Sequence, residues 1–345
     1  MKKFKRHRDY GFFDQDIRLS KLSQLGDPLE KLNEHIDFEM FRNLLETGLS
    51  KIAKVKGGRR PYDYVLMFKI LILQRYYNVS DDQIEYQIND RMSFMRFLNL
   101  SIADDLPDSK TVWNFREQLI ELNMVDELFR LFLRELEKLN LIVNEGKIID
   151  ASFIEVPKQR NNRAENAEIK AGNTPESFEE NPNKKSQKDL DARWTKKNNV
   201  SYYGYKNHVK VDSKSKLIVG YEVTDASVHD SQVLYYLLNE KDSDEDFHGD
   251  SAYAGKNQRD IISKKGMIDK TCKKGCKNNP LTEQEIAVNR EKSRVRSRVE
   301  HIFGFMEGSM NGMNLNAIGI KRIEGLVGLM NLTYNMFRKI QIQAV

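Results

Sequence analysis

The chain has 345 residues, more than one apolar core usually organises, and its 39% hydrophobic and 31% charged residues describe a folded globular protein rather than a disordered one. A net charge of +5 excludes the strongly basic composition that by itself announces a nucleic-acid binder, and two cysteines exclude a disulfide framework. The basic character is local: from Ser251 to Val345 there are 17 Lys and Arg against 8 Asp and Glu, a net of +9, which leaves −4 for the rest. The apolar run Val65 to Leu73 is broken by Lys69 and is too short for a membrane span. The basic stretch Met1 to Tyr10 lacks the apolar segment of a secretory signal, so a cytoplasmic protein is expected, with Cys272 and Cys276 as reduced thiols. Their spacing is half that of a zinc site; four ligands are needed, and only His248 is near in sequence.

From Pro28 to Leu141 the apolar residues recur at helical spacing, as in Leu29, Leu32, Ile36 and Phe41, Leu44, Leu45, Leu49. Gly57-Gly58-Arg59-Arg60-Pro61 is a basic turn before an apolar helix, compatible with a helix–turn–helix. Ser80 with Gln83 three residues on, and Asp108-Ser109 before Trp113 and Phe115, are helix starts. The two aromatics are read as core. We place a helical DNA-binding domain at 1–140 and an α/β domain at 141–345.

Lys147 to Ile154 reads as a strand carrying one acid, Asp150, among apolar residues. A polar stretch from about 157 to 200 reads as an insertion or mobile loop. Tyr202–Asp212 and Leu217–Thr224, joined by Ser213–Lys216, form a predicted hairpin. A helix over about 230–239 follows, then a strand ending at Asp250, a helix through Ile262 and a short strand around 267–272. The last predicted element is a helix from about 282 to 306, with Val288, Val295, Val299, Ile302 and Met306 as its apolar stripe. On it, Arg290, Arg294 and Arg298 recur every four residues, a positive strip beside Glu300, with Arg296 one turn before that acid.

Three acids thus occupy restrictive positions: Asp150 within the first strand, Asp250 at the end of a later one, Glu300 on the last helix. With Ile149-Asp150-Ala151-Ser152, Asp191-Ala192-Arg193-Trp194-Thr195-Lys196-Lys197, Tyr203-Gly204-Tyr205-Lys206-Asn207-His208, Val223 to Ser231, Gly249-Asp250-Ser251-Ala252-Tyr253 and Arg296 to Gly304, the chain resembles the DDE transposases of bacterial insertion sequences, notably the insertion-sequence family five group. Ser80 to Gln83, Phe97-Leu98 and Pro107 to Arg116 resemble the helical N-terminal domain of those proteins. The resemblance implies a ribonuclease-H-like catalytic domain of mixed sheet flanked by helices. It implies two Mg²⁺ or Mn²⁺ ions held by Asp150, Asp250 and Glu300, cleavage at transposon ends, and transfer of the 3′-hydroxyl strand into target DNA. Its partners would be double-stranded DNA, both terminal inverted repeats and target, with a homodimer on paired ends. Arg59, Arg60, Arg290, Arg294, Arg296 and Arg298 are the candidate DNA contacts. The family often has a tyrosine and a lysine where this chain has Ser293 and Glu307, so contacts through those two side chains do not carry over. A nuclease that cuts without joining and an inactive repressor derived from a transposase are the alternatives.

Overall fold

A computed structural model describes residues 11–50, 60–275 and 280–344; Arg59, the two glycines before it and Cys276 lie outside these. The N-terminal region is helical: α1 (Asp14–Gln24), α2 (Pro28–His35), α3 (Arg42–Leu49), α4 (Tyr64–Tyr77), α5 (Asp81–Asp90), α6 (Met92–Leu98), α7 (Ser109–Glu121) and α8 (Met124–Lys138). Short polar side chains cap several starts, as sequence spacing predicts: Asp63 accepts from Leu66 N, Ser80 from Gln83 N and Asp108 from Thr111 N. Helix α4 is nearly all apolar because it is buried on most sides. Its Gln74 donates to Asp81 (2.7 Å), which also pairs with both guanidinium ends of Arg116, tying α4, α5 and α7 together. Of the two aromatics read as core on α7, Phe115 is buried, whereas Trp113 is 44% exposed.

The second region is a six-stranded mixed sheet. Strand β1 (Gly146–Glu155) lies between β3 (Val200–Asp212), antiparallel, and β5 (Asp246–His248), parallel; β6 (Ile268–Asp269) extends the β5 side. Strand β3 also pairs β2 (Arg193–Lys197) and β4 (Ile218–Asp225). Gly204 carries φ 143°, and a Cβ there would lie 2.3 Å from the Ile154 carbonyl, so only glycine lets β3 run this close to β1. Lys206, two residues on, bonds the Val228 carbonyl and pairs with Asp230, tying two of the motifs to each other.

Four expectations need correction. The polar stretch 157–200 is not a loop: it holds α9 (Arg163–Lys170), α10 (Glu176–Glu179), α11 (Pro182–Ser186) and β2, around buried Ile169, Phe178 and Asp189. The helix predicted over 230–239 is a 3₁₀ turn and the short α12 (Leu234–Leu237). After α13 (Lys256–Lys264), the long helix is two: α14 (Glu283–Arg296) and α15 (Glu300–Gly308), separated by a 3₁₀ turn at Ser297–Val299. The apolar stripe is buried only from Val299 onward, and Val288 is half exposed. The fourth correction is α16 (Ile320–Gln343), which sequence periodicity did not reveal.

Helix α16 joins the two regions. It packs on α2, α4, α7 and α8 on one side and on β3 and β4 on the other, in one continuous apolar core. Buried amides fix its seat on the sheet: Asn331 and Asn207 bond each other, and Asn335 takes both the N–H (2.9 Å) and the carbonyl (2.8 Å) of Ile218. Asp189 and Asp191, from the polar stretch, accept from Gly319 N and Ile320 N at its start, where carboxylates offset the helix dipole. Among the described residues no helix is long and apolar enough to cross a membrane.

Candidate active site

Each candidate acid reaches the same cleft from a different element. Asp150 is in the middle of β1, Asp250 follows β5 and caps the next turn through Ala252 N (2.8 Å), and Glu300 opens α15. All three line a cleft of about 910 Å³ with Arg296, Ser293 and Glu307. A 3₁₀ turn at the junction of α14 and α15 separates Arg296 from Glu300. It leaves Arg296 as the last residue of one helix and Glu300 as the first of the next, still one turn apart.

Arg296 is the organising cation. Its Nη1 lies 2.8 Å from Asp150 Oδ2 and its Nη2 3.6 Å from Glu300 Oε1, so one guanidinium bridges two of the acids. The other Asp150 oxygen accepts the Ala151 N–H at 2.8 Å. Burial pushes the Asp150 carboxyl up to about 6, against the opposing pull of the Ala151 N–H and Arg296 and with further upward pressure from Asp250 and Glu300. Glu300 itself is well exposed. Among the described residues, no three acids, histidines or cysteines are grouped closely enough to hold a metal ion as they stand. The cleft lining nevertheless carries five carboxylates (Asp150, Glu155, Asp250, Glu300, Glu307) against Lys197, Lys273 and Arg296. An oxygen-rich lining with excess negative charge suits a hard divalent cation.

The arginines predicted for DNA divide into three groups. Arg290 and Arg294 are exposed on α14, a helix none of whose residues is buried, and Arg60 is exposed ahead of α4. Arg296 faces the acids. Arg298 turns away from the strip and donates to the Ser213 carbonyl (2.7 Å). Ser293 and Glu307, the two departures from the family pattern, both line the cleft, and the Ser293 hydroxyl lies 3.5 Å from the Cys272 sulfur.

Sequence reasoning missed one wall. The tip of the β2–β3 hairpin brings Lys197, Asn198 and Tyr202 to the cleft, and the Tyr202 ring stacks on Phe153 at 4.1 Å. The signal was Asn198-Asn199, both with positive φ (51° and 63°), the pattern of a tight hairpin turn. The histidines give no competing chemistry: His208 is buried, its Nε2 beside the Thr224 hydroxyl, and burial lowers its imidazole to about 4.

With this geometry in view, comparison with known families is decisive. A family model described as Transposase DDE domain matches residues 143–336, over half the chain. The chain belongs to the DDE transposases. A second model, Transposase domain (DUF772), matches residues 17–118 of the transposase, the helical region from α1 into α7. No solved structure matches the chain. The first match spans β1 through most of α16, and so contains all three acids and the helix that unites the regions.

Proposed function

We propose that this transposase, of the insertion-sequence family five type, cleaves DNA at its element's ends and joins the freed 3′-hydroxyl to target DNA, in a ribonuclease-H-like domain whose catalytic residues are Asp150, Asp250 and Glu300. The observation that carries this is the convergence of the three carboxylates from β1, the end of β5 and α15 on one cleft, with Arg296 bridging Asp150 and Glu300. The buried, raised carboxyl of Asp150 amid an excess of acids fits a site completed by cations. Asp150, Asp250 and Glu300 would hold two Mg²⁺ or Mn²⁺ ions. Such ions supply charge stabilisation for the attacking and leaving oxygens of an in-line phosphoryl displacement.

The chain's own residues do the rest. The Ala151 N–H and Arg296 fix both oxygens of Asp150, so the first ligand is oriented before any cation arrives. Arg290 and Arg294, exposed on α14, lead phosphates toward the cleft, and the helical region at 1–140 contributes Arg59 and Arg60 to binding the terminal repeats. Two copies on paired ends complete the assembly. Asp150→Asn, Asp250→Asn and Glu300→Gln should each reduce Mg²⁺-dependent cleavage of an end-containing duplex by at least about 10²-fold while binding persists. Near wild-type cleavage by any one of them removes that residue from the site.

A further inference from the structure

On the other side of α15 from the carboxylate cleft is a recess of about 470 Å³, lined by Lys216, Glu300, His301, Tyr334, Arg338 and Gln341. The β3–β4 turn reaches it through Lys216. The carbonyls of that turn hold two guanidinium groups: Ser213 accepts from Arg298 Nη1 (2.7 Å) and Ser215 from Arg338 Nε (2.7 Å). Lys216 ends the turn, with its own carbonyl taking the Tyr334 hydroxyl at 2.8 Å. All three cations are half-buried. Among the described residues none has a carboxylate within ion-pair distance, and Glu300, on the rim, is the acid that Arg296 faces at 3.6 Å.

Cations withdrawn from water and crowded together are unfavourable unless an anion joins them. The Lys216 ammonium registers the crowding: burial, then Arg338 and Arg298, lower it from the usual lysine range. The backbone is also unusual at Lys216. Of the ten described non-glycine residues with positive φ, eight are asparagine and one is aspartate; the tenth is Lys216, at φ 60°. The left-handed region penalises a long side chain and tolerates asparagine.

We propose that Lys216, Arg298 and Arg338 form a seat for a backbone phosphate of duplex DNA, beyond Asp150 and Asp250 and across α15 from them, with Glu300 on the rim between, continuing the DNA path across α15. Glu300 and Gly304 line both the cleft and this recess, so a strand leaving the cleft over α15 meets Lys216 and Arg338 in the recess, with Arg298 anchored to the same turn. The Arg298 guanidinium is anchored by the Ser213 carbonyl, and that of Arg338 by the Ser215 carbonyl and, through Nη1, by Gln341 Oε1 (3.0 Å), so both planes are held in place, which suits a phosphodiester. The seat contacts no base edge, so it strengthens binding to every sequence alike.

The inference rests on the DNA-binding reading above, and one titration separates the two. Duplex DNA, either carrying the element's end or of random sequence, is titrated with the full-length chain by fluorescence anisotropy over a series of salt concentrations. Lys216→Asn keeps the left-handed turn and removes the charge. It should weaken both duplexes roughly 3- to 10-fold, reduce the slope of log K against log salt by about one unit, and leave Tm unchanged or raised. Adding Arg338→Gln should remove about one unit more. An unchanged slope in Lys216→Asn, or a fall in Tm without a change of slope, overturns the phosphate seat alone. A wild-type chain that binds neither duplex overturns both readings.

Discussion

Asp150 shows how a single side chain can be tuned against the fold that holds it. Its carboxyl is raised to about 6, above an unfolded value near 3.9, so the native state binds a proton more tightly than the unfolded chain. The sign follows: the contribution to stability is fully present below about pH 4 and is lost as pH rises through 6. At neutral pH the ionised group therefore destabilises the metal-free protein, by about 1–3 kcal/mol. Asp150→Asn should accordingly be the more stable protein at pH 7.5 in chelator, with the gain vanishing near pH 4, while losing cleavage. Denaturant titrations of both proteins at the two pH values check this. Equal stability at pH 7.5 would mean that Arg296 neutralises the carboxylate more fully than burial opposes it.

At the scale of elements, α14 is the clearest departure from a core-packing helix. None of its 14 residues is buried, so Arg290 and Arg294 stand on a surface that supports little else. Replacing both with alanine should flatten the salt dependence of DNA binding by about two units and shift Tm by no more than a degree or two. A large loss of Tm with an unchanged slope would make them scaffold. The same element shows what the sequence could and could not reveal. The acids were legible because a lone Asp in an apolar strand and another at a strand end stand out by position. The Ser213–Lys216 turn and its flanking strands were equally plain from alternation and turn residues. The 3₁₀ turn at Ser297–Val299 contains neither Gly nor Pro and keeps right-handed helical dihedrals, so no residue type marks it in the sequence. The polar stretch 157–200 looked structureless because its order hangs on a few buried groups. Asp189 takes the Tyr205 hydroxyl at 2.7 Å, and Phe178 is fully buried. Helix α16 was missed for the opposite reason: buried along most of its length, including at Asn331, Thr333 and Asn335, it has no polar face to set against an apolar stripe.

For the whole molecule, α16 makes the helical region and the sheet one cooperative body. It buries Ile323, Leu326, Val327, Leu329, Met330, Leu332, Met336 and Phe337. At about 1.5–3 kcal/mol for each large apolar side chain, these eight contribute about 12–24 kcal/mol, as large as the roughly 5–15 kcal/mol that separates a native domain from its unfolded chain. A fragment of residues 1–140 should therefore lack a cooperative urea transition, and fusing residues 320–343 to it through a flexible linker should restore one. A sharp transition in the unfused fragment would show that α2 to α8 suffice. There is also a consequence in time. At about 5–20 residues per second, roughly ten to forty seconds pass between the emergence of α8 and that of α16. During that interval the helical region lacks the element that closes it, and the sheet lacks its cover. The helical region and the sheet with its carboxylate cleft thus become complete together, when synthesis reaches the last helix, and a product interrupted before residue 320 contains neither in finished form.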